Sequence, residues 1–92
     1  MIKTFADADT RSLFNNTLVR HFKAIETQAR KRLRILNAAV SLHSLAVLKS
    51  NGLHQLTGDR AGQHAIRINM QWRICFVWRD GNAYEVEIVD YH

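Results

Sequence analysis

The sequence predicts a small α+β domain, with helices packed on one face of an antiparallel sheet. Three observations lead there. One long segment, Ala24 to Val40, repeats its apolar residues at helical spacing. Two later stretches, "QWRICFVW" and "AYEVEIVDY", alternate as strands do, with Asp80-Gly81-Asn82 between them as a tight hairpin. The helical signals come first along the chain and most of the strand signals last, which separates the two layers.

Taken in order, "MIKTF" alternates Ile2 and Thr4 against Lys3 and Phe5 and reads as a short first strand. Asp7 or Asp9 is placed to cap a following helix carrying Leu13, Phe14 and Leu18. In the long helix, Ile25, Ala29, Leu33, Leu36 and Val40 form one stripe, with Arg30, Lys31, Arg32 and Arg34 on its other faces. "SLHSLAVL" continues as a short helix or turn that offers Leu42, Leu45, Ala46 and Leu48 to the core. Asn51-Gly52, then Gly58, Asp59 and Gly62, mark an irregular stretch. Three strands follow: "HAIRIN", then the two of the hairpin. On the middle one, Trp72, Ile74, Phe76 and Trp78 share a face, opposite Arg73, Cys75 and Val77. On the last, Val86, Ile88, Asp90 and His92 share a face, opposite Glu85, Glu87, Val89 and Tyr91.

Composition sets the outer limits. Ninety-two residues, 47% hydrophobic and 23% charged, suit one globular domain over residues 1–92 with a modest core. No apolar run approaches the ~20 residues of a membrane span, and the start lacks the apolar stretch of a secretory signal, so the expected location is cytoplasmic, with no membrane partner. The lone Cys75 fits that compartment as a small core residue. Thirteen Lys and Arg against eight Asp and Glu give a net charge of +5, which biases the partner toward a polyanion or an acidic protein.

Motifs exclude more than they include. There is no phosphate-binding glycine loop, dinucleotide fingerprint, CxxC, HExxH or serine elbow, and the five histidines are scattered without ligand spacing. We therefore expect no metal and no cofactor. What remains is a set suited to cutting RNA. That reaction removes a proton from the ribose 2′-OH, gathers charge on the phosphorane and protonates the leaving 5′-oxygen, so it needs a base, a cation and an acid together. The candidates are His54 after the turn, Arg73 inside a strand, and Asp90, Tyr91 and His92 at the end. Pattern alone leaves each open. Arg73 interrupts an apolar run and needs an anion, either Glu85 or Glu87 across the hairpin or an external phosphate. His54 can be a surface histidine, Asp90 and His92 solvated terminal residues, and Tyr91 a packing residue. Arg30, Lys31 and Arg34 form either a solvated face or a phosphate-tracking one.

The blocks "GDRAGQHAIRINMQWRICFVW" and "VEIVDYH" resemble the HigB toxins of the RelE superfamily, once called plasmid-maintenance killer proteins, and the resemblance runs over essentially the whole chain. It implies a microbial-RNase-like fold, a curved antiparallel sheet packed by two N-terminal helices. It implies a ribosome-dependent endoribonuclease of a type II toxin–antitoxin module that cleaves messenger RNA at the A site of the 70S ribosome, against 16S ribosomal RNA. It also implies a helix-turn-helix antitoxin of the HigA type, with DNA reached only through that antitoxin. By matching position, Arg73 would hold the scissile phosphate, Asp90 and His92 would move protons, Tyr91 would position a nucleotide and His54 would assist. Arg60 and Arg67, with Arg30, Lys31 and Arg34, are the candidate phosphate contacts. Strand parity puts Asp90 and His92 toward the cleft together, so Tyr91 joins them only if the pleat dissolves after Val89, and we expect that it does. The alternative within the superfamily is a non-catalytic toxin like the ParE proteins that act on DNA gyrase; outside it, a basic nucleic-acid-binding domain without toxicity.

Overall fold

A computed structural model describes residues 1–91. Three α-helices, α1 (Ala8–Phe14), α2 (Glu26–Ala38) and α3 (Leu42–Val47), precede a sheet of β1 (His54–Gln55), β2 (His64–Arg67), β3 (Trp72–Arg79) and β4 (Asn82–Asp90). The strands lie in sequence order and every neighbouring pair is antiparallel. The architecture is the expected α+β one. Among the described residues no helix is long and apolar enough to cross a membrane.

Local chemistry explains the helix ends. Of the two candidate caps, Asp7 is the one used: it is extended and its carboxylate accepts the Thr10 backbone N–H at 3.0 Å. The helix ends before Leu18, which is exposed. The long helix begins later than its apolar stripe suggested, because residues Arg20–Ile25 wind as a 3₁₀ turn. Ile25, Ala29, Leu33 and Leu36 are all buried, as the spacing predicts. Val40 is not: the chain turns extended at Ala39, and Val40 is 80% exposed. In α3, Ser41 and Ser44 form a capping box and only Leu45 is fully buried.

The helices cover the sheet face that carries Ile66, Ile74, Phe76, Val86 and Ile88. These residues form one core with Leu13, Phe22, Ile25, Leu33, Leu36 and Leu45, edged by Trp72 and Trp78. Each such fully buried Leu, Ile or Phe contributes ~1.5–3 kcal/mol.

The sheet departs from the sequence reading at three places. "MIKTF" is not a strand of its own. It runs parallel to β4 and touches it at two isolated bridges, Ile2 with Ala83 and Phe5 with Val86. Regular pairing breaks there because β4 bulges: Cys75 pairs with Glu87, but Val77 pairs with Tyr84, so β4 carries one extra residue. Glu85, inside that bulge, has φ +52° and gives its N–H to the Thr4 hydroxyl at 2.8 Å. The second difference is β1, a two-residue strand inside the stretch read as irregular. The third is the hairpin turn, whose loop is Asp80-Gly81 alone, both at positive φ, with Asn82 already in β4.

Candidate active site

The other sheet face carries a second, smaller cluster: Leu56, Ala65 and Cys75, with Val89 against them. No helix residue belongs to it. Strand register decides what else lies on this face, because directly paired residues point to the same side. His54 pairs with Ala65, Arg67 with Arg73, and Arg73 with Val89. His54, Arg67 and Arg73 therefore share the helix-free face, and so does Tyr91, two residues beyond Val89.

The side chains meet there. The Arg73 guanidinium carbon sits 4.8 Å from the centre of the Tyr91 ring. The His54 ring meets Tyr91 edge-on at 6.3 Å, and its Nδ1 lies 3.4 Å from the Gly52 carbonyl. Arg73 is braced through Nη1 by the carbonyls of Asn69 and Trp72. Arg67 packs against Gly52, whose φ of +55° suits a residue without a side chain. Among the described residues neither Arg67 nor Arg73 is in an ion pair. The internal partner that pattern allowed for Arg73 is thus taken elsewhere: Glu87 accepts from both terminal nitrogens of Arg60 at 3.2 Å. Arg60 also donates to Gln63 at 3.1 Å and lines, with His54, Thr57 and Tyr91, a cleft of about 250 Å³. Two cross-strand arginines on one face, outside any ion pair among the described residues, suit an anionic ligand.

The pleat corrects two expectations. β4 ends at Asp90, one residue after Val89, so the strand stops close to where it was expected to. Tyr91 nevertheless needs no break to reach Arg73, because ordinary alternation takes it there, and its N–H still bonds the Gln71 carbonyl at 2.6 Å. Asp90, which parity was expected to turn toward the cleft, instead lies on the opposite side of the pleat from Arg73 and Tyr91, because it pairs with Trp72. The Gln71 side-chain amide donates to its carboxylate at 3.1 Å. His92 lies outside the described residues.

The basic face of α2 belongs to the helical layer instead. Arg30 stitches α1 to α2, donating to Glu26 at 2.7 Å, the Leu13 carbonyl at 2.9 Å and the Thr17 carbonyl at 3.2 Å. Lys31 and Arg34 are exposed on the same helix, away from Arg73. Cys75 is buried beneath the site, and burial pushes its thiol above the ordinary value, against the opposing pull of Arg60. Among the described residues no three His, Cys, Asp or Glu side chains group closely enough to hold a metal.

Sequence reasoning missed the turn before β3. Asn69 Oδ1 accepts the N–H groups of Gln71 and Trp72, each at 2.8 Å, which closes a turn its own backbone then extends to Arg73. An Asn three residues ahead of a strand was the available signal.

As a class, this is a small α+β protein with two arginines side by side on its open sheet face, outside any ion pair among the described residues. Comparison with known proteins narrows this. The chain belongs to the HigB-like toxins: the family model for the RelE-like toxin of the type II toxin–antitoxin system HigB matches residues 3–92. A protein of Proteus vulgaris named endoribonuclease HigB is 32% identical over 95 residues, covering all of both chains. Toxin HigB-1 of Vibrio cholerae is 37% identical over 60 residues, 65% of this chain and 63% of that one. Among solved structures, a YoeB–YefM complex from Staphylococcus aureus matches in fold with a TM-score of 0.59 at 14% identity, covering 100% of this chain and 98% of that one.

Proposed function

We propose that this chain is the endoribonuclease toxin of a type II module, cleaving messenger RNA at the ribosomal A site by acid–base chemistry of its own side chains, without a metal. Family membership and the full-length relative named an endoribonuclease support the activity. The observation that carries the reading is the Arg73–Tyr91–His54 group on the helix-free face, with Arg67 beside it.

In this mechanism the guanidinium of Arg73 holds the scissile phosphate and stabilises the charge that builds on its oxygens. Arg67 and Arg60 contact flanking phosphates, and Lys31 and Arg34 the ribosomal RNA. Asp90 and His92 form the proton-transfer pair, with Asp90 acting at the edge of the site, where β4 ends, from the other side of the pleat. One takes the 2′-OH proton as the 2′-oxygen attacks phosphorus, and the other protonates the 5′-oxygen as its bond to phosphorus breaks. Tyr91 stacks on a nucleotide and so orients it. His54, edge-on to Tyr91, assists proton transfer or orients the substrate. So open a site imposes little geometry of its own, and the ribosome supplies the in-line arrangement.

An antitoxin partner is supported by the solved toxin–antitoxin complexes of the same fold. We assign it as a HigA-type helix-turn-helix protein through which the toxin reaches DNA, acting with the toxin in the cytoplasm. Primer extension on translated messages tests the reading. The intact protein should give A-site cuts, and Asp90→Ala should give none while remaining folded. Gyrase-linked DNA breaks without RNA cuts would favour the ParE-like alternative.

A further inference from the structure

Residues 69–71 form the turn between β2 and β3, and this one turn holds the candidate site from several sides. The Asn69 carbonyl accepts from Arg73, the Gln71 carbonyl accepts the Tyr91 N–H at 2.6 Å, and the Gln71 side-chain amide donates to Asp90 Oδ2 at 3.1 Å. The turn is itself fixed by Asn69 Oδ1, which takes the N–H groups of Gln71 and Trp72. We infer that Gln71 is a positioning residue: its amide orients the Asp90 carboxylate while its carbonyl sets Tyr91, tying both to the turn that braces Arg73.

The chemistry favours this assignment. A carboxylate only accepts, so the group facing it must be the amide nitrogen. Asp90 pairs with Trp72 at the last rung of the β3–β4 ladder, and Gln71 is the next residue outward, so its longer side chain reaches the carboxylate from beyond the rung. A proton-transfer carboxylate must hold one orientation before it can act, and the Gln71 amide donates to Oδ2 in a defined direction. Gln71 is exposed and outside both apolar clusters, so its side chain can be changed without opening the core.

This rests on the proposed role of Asp90, and the test separates the two. Gln71→Ala, Gln71→Lys and Asp90→Asn are compared with the parent by single-turnover cleavage of a message on programmed ribosomes across pH. The Asp90 carboxyl carbon is followed by NMR titration in the free protein. Gln71→Ala should cut about tenfold more slowly. It should also move the Asp90 titration, and the limb of the pH profile that Asp90 sets, to higher pH, because a donor to the charged form is gone. Gln71→Lys, which restores a donor and adds charge, should move both to lower pH. Neighbouring elements carry Arg73, His54, Asp7, Asp9, Arg11 and His21, all unchanged in these variants, so opposite shifts report the group at position 71. Coincident titrations and rates in all the Gln71 forms would overturn the inference and leave the function standing. Full cleavage by Asp90→Asn would instead overturn the role of Asp90, and with it any part for Gln71 in the reaction.

Discussion

The guanidinium of Arg73 lies over the ring of Tyr91, its carbon 4.8 Å from the ring centre, although Arg73 is in β3 and Tyr91 follows the end of β4, eighteen positions later. The pairing of Arg73 with Val89 brings them together, since Tyr91 follows Val89 on the same side of the pleat. Carbonyls of Asn69 and Trp72 occupy only Nη1 of Arg73. Among the described residues its other nitrogens have no hydrogen-bond partner, and in the proposed mechanism they meet the phosphate.

Substitution of Arg73 should therefore be felt in the reaction before it is felt in the fold. Arg73→Ala is expected to slow message cleavage by about 10²–10³-fold, the usual cost of removing one group aimed at developing charge. Arg73→Lys should recover little of this, because a lysine has neither the planar fork nor the stacking face. Quantified primer extension gives the rates, and thermal melts check that the fold is retained.

Tyr91 separates stacking from hydroxyl chemistry. If the ring supports a nucleotide, Tyr91→Phe should stay within a few-fold of the parent, whereas Tyr91→Ala should lose ~1–3 kcal/mol of stacking, about 5- to 150-fold in the same assay. A Tyr91→Phe variant as inactive as Tyr91→Ala would show that the phenolic oxygen takes part.

Much of the fold was legible in the chain, and the reason some was not is physical. The apolar stripe that begins at Ile25, the alternation of β3 and the Asp80-Gly81-Asn82 turn are local signals, and each produced its element, although the stripe stops at Leu36 short of Val40 and Asn82 belongs to β4. Arg73, which interrupts the apolar run of β3, was visible for the same reason. Which face of β4 meets it was not visible. That depends on the register across the hairpin, and the register is shifted by a bulge whose positive-φ residue is Glu85, not a glycine. β1 is only two residues long and makes sense only when paired with β2. The roles of Asp90 and His92 came from family resemblance; residue pattern alone left them as a solvated end.

The C-terminal strand is anchored from the helical layer by Thr10, which is fully buried. Its hydroxyl donates to Asp7 at 2.6 Å and accepts the Ile88 N–H at 3.1 Å, where the N-terminal segment no longer covers the β4 edge. Thr10→Val keeps the shape but leaves that N–H unpaired in the core, so it should cost ~1–3 kcal/mol. Thr10→Ser keeps both hydrogen bonds and should cost less. Urea denaturation of the two variants measures the difference.

His64 should make stability depend on pH. Its ring stacks on Phe76 at 6.1 Å and its Nδ1 is buried without a partner among the described residues. Burial, and after it the charge on His54, holds this imidazole below its ordinary value of 6.5. Below that value the unfolded chain takes up the proton more readily than the folded one, so protonation favours unfolding. The contribution of neutral His64 is complete above pH 6.5 and is lost as the pH falls through the folded value. His64→Gln removes the titrating group. Between about pH 8 and about pH 5 the urea midpoint of the parent should therefore drop further than that of the variant. Parallel midpoints across that range would show that His64 titrates alike in both states.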